Sequence, residues 1–508
     1  MLLACAMLFP ALAGILIFVC FPDDPGMEEA ARKKRTRARN DACAAAVLIT
    51  DLLCALALAS GGTLVPVTYS DQLRAVFSPD GFGSWVLIAA LILYTAVCFY
   101  SFEYMEQEER PHVFFAFYFI SFAAMISVCL AGNLVTLYFC FEMLTLTSMP
   151  LVLHEMTKEA VGAALKYLFY SVAGALLGLF ALFFVYQFAS GDASFVMGGF
   201  LDPGLYAGRT GLLYGAAMAG IIGFGTKAGL YPMHGWLPTA HPIAPAPASA
   251  LLSGIIAKAG IVAVVRLVYY SIGAEVLRGT WVQTAWMTLA MLTIFMGSMM
   301  AFREKVLKKR LAYSTISQIS YIMLALSFLS GGGLRGGLIH LMSHVMSKGC
   351  LFLAAGAFIA KLGIRRTEGL KGVGKRMSVT LWCFTIASLS LVGIPPMGGF
   401  LSKWVIASAA IGSGIPVYSV LAPVVLLISA LLTAGYLLPV TVDGFFPGRG
   451  DDTAEEKAAG APSGGHAPAD TASSAEPSLR MILPMAVLCA GALAAGLFGI
   501  QAAGLFGF

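Results

Sequence analysis

Runs of about 20 apolar residues, the length that crosses a bilayer as a helix, recur along the whole of this 508-residue chain. In lipid a segment must satisfy its own backbone hydrogen bonds, so such runs read as helices rather than open strands. They fall at roughly 2–21, 42–66, 83–101, 112–130, 133–153, 160–188, 211–231, 247–272, 280–301, 311–329, 334–360, 378–411, 415–440 and 481–503. The fold class expected is therefore an all-α polytopic membrane protein of about 14 transmembrane helices. Composition agrees: 12% of the residues are charged, against about 25% in soluble domains, and the mean hydropathy is +0.83. The first run has no basic segment before it and leads into ARKKRTRAR, so it is read as an uncleaved span rather than a signal peptide.

Several function classes lack support. The ten cysteines are scattered, mostly inside apolar runs, and no CxxC occurs, which leaves iron–sulfur, zinc and disulfide readings without a pattern. No Gly-rich phosphate loop or dinucleotide fingerprint precedes a soluble helix. No cofactor or metal is expected in this chain; if it serves a redox process, other chains hold the cofactors. The net charge of +5 reflects loop lysines and arginines, not a nucleic-acid surface. With the N-terminus outside, 22 of the 32 lysines and arginines fall in inside loops and four in outside loops. That asymmetry predicts both termini outside and the basic loops in the cytoplasm, in a cell inner (plasma) membrane. The acidic loop with Glu103, Glu106, Glu108 and Glu109 is expected to be a solvated surface or a subunit contact.

Two runs cannot be plain spans. Residues 378–411 would form a helix of about 50 Å across a core of about 30 Å, and GIPPMGG at 393–399 is where the run must break. The stretch GTKAGLYPMHGWLPTAHPIAPAPASALLSGIIAKAG at 225–260 carries a proline-rich turn between two lysine-bearing runs. Broken backbone at membrane depth survives where it is buried in protein or lines a wet cavity. The two breaks suggest an internal duplication. The expected organisation is an N-terminal three-helix segment (1–111), a first five-helix repeat (112–272), a second (280–440), a flexible cytoplasmic linker (441–480) and a peripheral last helix (481–508). An odd number of spans per repeat inverts the second copy.

The titratable residues inside spans carry the functional expectation, because such groups are costly there and usually have a partner and a task. Glu142 lies about 14 Å into its span. Lys166 opens the next span, either to snorkel or to pair with Glu142. Lys227 and Lys258 flank the proline-rich turn and cannot easily snorkel; a nearby carboxylate such as Glu142 would tune the proton affinity of Lys227. His234 and His241 in the turn either pass protons or cap backbone groups freed by the prolines. His340, His344 and Lys348 stand at i, i+4 and i+8 in LIHLMSHVMSKGC, on one helix face with Ser343 and Ser347 beside them. This reads as a proton wire; no acid or cysteine completes a metal set around the HxxxH spacing. Lys403 follows the second break and is the counterpart of Lys227.

At these residues the chain resembles the antiporter-like membrane subunits shared by respiratory complex I (M and N types), Mrp-type cation/proton antiporters (D type) and energy-converting membrane-bound hydrogenases. FEMLTLTSMPLV, ALKYLF, the 225–260 stretch, HLMSHVMSKG and GIPPMGGFLSKW match that family's helices five, six, seven to eight, eleven and twelve. The resemblance implies two inverted five-helix repeats with helices 7 and 12 broken. It also implies an axis of Glu142, Lys227, Lys258, His344 or Lys348, and Lys403. The implied function is that of a non-redox, proton-translocating subunit of a multi-subunit redox-driven pump, in contact with other membrane subunits and the lipid bilayer. The alternative is a D-type component of a Na⁺/H⁺ antiporter without a redox partner. The M type of complex I commonly has glutamate at the position of Lys403, which sets this chain apart from it.

Overall fold

The computed structural model describes residues 1–22, 27–70, 73–447 and 474–508. It opens with α1 (Leu2–Cys20) and α2 (Glu29–Ser60). Helix α2 begins earlier than expected, taking in the basic run, and ends at Gly61, whose φ of 60° stops the helix. Residues expected to finish that span instead form β1 (Leu64–Thr68), paired antiparallel with β2 (Arg74–Phe77). The hairpin is an addition to the all-helical plan; its LVPVT strand is too short and too near the helix end for periodicity to separate it from the span.

Asp80 caps α3 (Gly81–Tyr104) by accepting from the Gly83 amide. Then come α4 (Pro111–Leu130), α5 (Leu134–Leu153) and α6 (Lys158–Gln187), with Asn133 and Thr157 capping the last two through their side chains. Helix α7 (Thr210–Ala228) stops at Gly229, whose φ of 83° is the left-handed conformation that glycine adopts without penalty. After the turn a short α8 (Leu237–Ile243) resumes, and α9 (Ala246–Ile272) follows. Two π-helical turns widen α9, at Leu252–Ile256 and Arg266–Ile272.

After α9 the chain continues with a further set of helices, one of them again broken. Helices α10 (Trp281–Arg303) and α11 (Leu307–Ser327) are followed by a 32-residue α12 (Gly331–Leu362). A broken pair, α13 (Ser378–Val392) and α14 (Gly398–Gly412), leads to α15 (Tyr418–Phe445). The break lies where the length argument required it, at Gly393 with φ 93°. Among the described residues, eleven helices are long and apolar enough to cross a membrane. The three other expected spans coincide with α7, α11 and the α13–α14 pair; α11 opens on LKKR and the pair is two 15-residue pieces.

Helix α9 is buried on every side, whereas α1 and α2 stay mostly exposed. The last helix, α16 (Leu479–Leu505), packs along α12, α3, α14 and α13, a closer seat than the peripheral position expected of it. Its entry is held by carboxylates. Glu103 pairs with Lys361 at 2.6 Å and accepts from Ser478, so it is a junction rather than a freely solvated acid. Glu476 accepts from the Val379 amide and the Thr380 hydroxyl at the start of α13. Most of the expected linker, residues 448–473, lies outside the described residues.

Candidate functional site

The first cluster forms around Lys227, in the last turn of α7 just before the break. Its ammonium is fully buried and donates to Thr145 Oγ1 (2.6 Å) and the Tyr167 hydroxyl (3.3 Å). It also lies 4.8 Å from the centre of the Phe141 ring and 5.5 Å from that of Tyr167. Desolvated cation–π contacts of this kind contribute up to about 2 kcal/mol or more. The Tyr167 hydroxyl in turn meets Ser148 Oγ at 2.8 Å. Glu142, half-buried on α5 beside Tyr138, acts on Lys227 electrostatically but forms no ion pair with it or with Lys166 among the described residues. The contact pair that adjacency of spans made feasible is thus replaced by coupling at a distance. Lys166 instead donates to Thr239 Oγ1 at 2.9 Å, tying α6 to α8. His234, half-buried, stacks on Tyr231 at 5.7 Å. Trp236 closes the break by donating to the Thr226 carbonyl at 3.0 Å and packing 4.7 Å from Tyr167.

The second cluster begins at Lys258, which directly follows the first π turn of α9, a distortion often found at functional positions. Its buried ammonium donates to the Ser253 carbonyl. Lys348 on α12 donates to the Leu311 carbonyl (3.0 Å) and Ser314 Oγ (2.7 Å), and Ser314 accepts from the Tyr436 hydroxyl (2.8 Å). His344 is fully buried, has no hydrogen-bond partner at either ring nitrogen among the described residues, and is acted on by Lys258, Lys348 and His340. The rings of His340 and His344 are 6.1 Å apart. His340 Nδ1 meets Ser402 Oγ at 2.9 Å, and its ring packs edge-on against Tyr321 at 5.3 Å. Lys403 lies 5.2 Å from the centre of the Tyr321 ring and donates to the Leu391 (2.6 Å) and Val392 (2.9 Å) carbonyls. Those are terminal carbonyls of α13, so Lys403 caps the helix end that the break exposes.

One group of expected residues is therefore contiguous: Lys258, Lys348, His344, His340 and Lys403, with no carboxylate from the described residues among the charges acting on them. Lys227 stands apart from it; its charged neighbour is Glu142, while that of Lys258 is Lys348. The two clusters meet through backbone packing, where Gly260 of α9 sits against Phe224 and Ala228 of α7. A side chain at Gly260 would press on both.

Sequence reasoning missed several members. Tyr321 links His340 to Lys403 although it looks like an ordinary core aromatic in its run. Ser298, Ser317 and Ser429 form a hydroxyl trio from three helices (2.8, 2.5 and 3.2 Å). The hydroxyl-rich face of α11, STISQISY, was the available clue. Lys308, assigned by sequence to a cytoplasmic loop, is buried and donates to the Pro242 and Ala244 carbonyls, with His241 within its field. His241 stacks on Phe352 at 4.8 Å.

Residues 131–433 match the family model described as NADH:quinone oxidoreductase/Mrp antiporter, TM. NADH-quinone oxidoreductase subunit N of Desulforudis audaxviator is 30% identical over 84% of this chain and 83% of its own. The Na(+)/H(+) antiporter D subunit of Alkalihalophilus pseudofirmus is 29% identical over 66% of this chain and 67% of its own. In fold the chain is similar to one in the Mrp complex from Dietzia sp. DQ12-45-1b, with a TM-score of 0.80 and 21% identity over 100% of this chain and 97% of that one.

Proposed function

The chain belongs to the NADH:quinone oxidoreductase/Mrp antiporter transmembrane family, a multi-pass antiporter-like membrane subunit, and from that premise we propose that it moves protons within a larger complex. In this reading Glu142 tunes Lys227, Lys166 and His234 serve the first break, and Lys258, Lys348, His344, His340 and Lys403 pass charge through the second half. The two halves act as inverted half-channels in the plasma membrane, with both termini outside. Redox chemistry, where it drives the complex, belongs to partner chains.

The observation that supports this most is the buried cluster of Lys258, His344 and Lys348, which act on one another electrostatically with no acid of the described residues among them. Like charges crowded at low dielectric repel. A proton arriving at one site of such a cluster therefore favours release from another. A cluster kept only for packing has no use for such crowding. The relatives favour two assemblies: a redox-driven pump, in line with the NADH-quinone oxidoreductase relative, or a Na⁺/H⁺ antiporter, in line with the Alkalihalophilus relative. Purifying the complex through a tag on this chain and identifying its partners separates them. Redox subunits would indicate the first, small membrane subunits alone the second. Proton translocation at the wild-type rate by assembled Lys227→Ala protein would refute the reading as a whole.

A further inference from the structure

Outside both repeats, α2 carries a carboxyl that none of the above uses. Asp51 stands nine residues beyond Ala42, where the apolar stretch begins, about 14 Å along the helix and near the middle of the bilayer. Its Oδ2 meets the Thr95 hydroxyl of α3 at 2.6 Å. Its Oδ1 is enclosed and has no hydrogen-bond partner among the described residues. Helix α2 packs against α1 and α3, and the groups that feel Asp51 are Cys54 of α2, Cys98 of α3 and Tyr118 of α4. No lysine, arginine or histidine of the described residues acts on it.

A carboxylate with one hydrogen bond and no cation is poorly held at this depth. The neutral acid fits: Oδ2 accepts from the Thr95 hydroxyl, only Oδ1 goes unmet, and no charge is left uncompensated. If the task were only to fasten α2 to α3, an amide would serve equally, and what the acid adds is the ability to lose a proton. Hard metal cations need several converging oxygens, and here one carboxyl and one hydroxyl converge. The residue is half-buried, beside Leu48, Ile49, Leu52 and Leu56 on the outer face of α2, so its open side faces the membrane. Inward, Tyr118 packs on Tyr94 at 5.3 Å, and Tyr94 feels Tyr167, whose hydroxyl Lys227 contacts.

We propose that Asp51, held by Thr95, is a second protonatable carboxyl of the transport machinery, binding a proton at mid-membrane and releasing it during the cycle. The idea rests on the proton-moving reading above. The test uses the purified complex in proteoliposomes, with Asp51→Asn, Asp51→Glu and Lys227→Ala variants. Dicyclohexylcarbodiimide supplies an independent readout: it adds to a protonated membrane carboxyl, taking the acid proton onto one nitrogen, and leaves a stable acylurea that peptide mass spectrometry locates. The expected results are an adduct on Asp51, a fall of about tenfold in translocation for Asp51→Asn with subunit composition intact, and partial activity for Asp51→Glu. Wild-type translocation in Asp51→Asn, with Lys227→Ala inactive, overturns the inference and leaves the parent reading standing. Wild-type rates in both variants overturn both. Should Asp51→Asn fail to assemble, labelling of the wild type decides. Inhibition in step with the Asp51 adduct supports the site, and an unlabelled Asp51 overturns it.

Discussion

Glu142 and Lys227 act on each other without touching. This arrangement leaves the ammonium bound to neutral hydroxyls and ring faces, so its charge is tuned rather than locked by an ion pair. Glu142→Gln keeps the side-chain shape and removes the charge. It should lower translocation markedly while the complex still assembles. An unchanged rate in an assembled complex would remove Glu142 from the mechanism. In the second cluster Lys258, Lys348 and His340 all act on His344, and like charges at low dielectric repel, so a proton gained at one site disfavours one at its neighbour. Lys258→Ala should therefore stop translocation even with normal expression, and Lys258→His should restore part of it, because histidine also titrates. Full activity of the alanine variant would mean that this cluster does not carry the ions.

The broken helices matter as elements because each break places a lysine against exposed helix ends. At the second, Lys403 satisfies the Leu391 and Val392 carbonyls. Lys403→Met leaves both carbonyls without that donor, at about 1–3 kcal/mol for the buried one at Leu391, and should lower the unfolding temperature of the complex as well as its transport. Lys403→Arg should recover stability better than transport. Equal thermal stability in Lys403→Met would deny the capping role. Close approach of α14 to α13 sets a second requirement: a side chain at Gly399 would run into the Ser390 carbonyl. Gly399→Val is expected to abolish accumulation of assembled protein, measured by membrane immunoblot. The existence of both breaks was legible in the sequence, from the excess length of one run and the prolines of the other. The capping was not, because it depends on which way the chain turns after Pro395 and Pro396.

Across the whole molecule, the loop charges predict an orientation that the packing does not test. A reporter inserted after Ala461 should face the cytoplasm and one at the C-terminus the exterior. Both on one side would refute the arrangement of spans. Helix α16 joins the N-terminal segment to the second half by packing on α3 and α12, and Glu103 clasps Lys361 and Ser478 at its entry. Glu103 reads in the sequence as part of a solvated surface or a subunit contact, because its partners Lys361 and Ser478 lie hundreds of residues later.

The spans, the two breaks and the shared face of His340, His344 and Lys348 follow from the sequence alone, because each depends on helix length or on the 100° turn between neighbours in one helix. Other features were decided only by tertiary structure. Tyr321 bridges His340 and Lys403, Lys308 lies in the first turn of α11 on the carbonyls of Pro242 and Ala244 rather than in a loop, and Glu142 stops short of Lys227. The β1–β2 hairpin likewise took residues that apolarity alone gave to a span. The physical reason is common to all of them. Hydropathy records that a residue is buried, whereas its partner is set by which faces of distant helices meet, and that choice is made by packing over the whole chain.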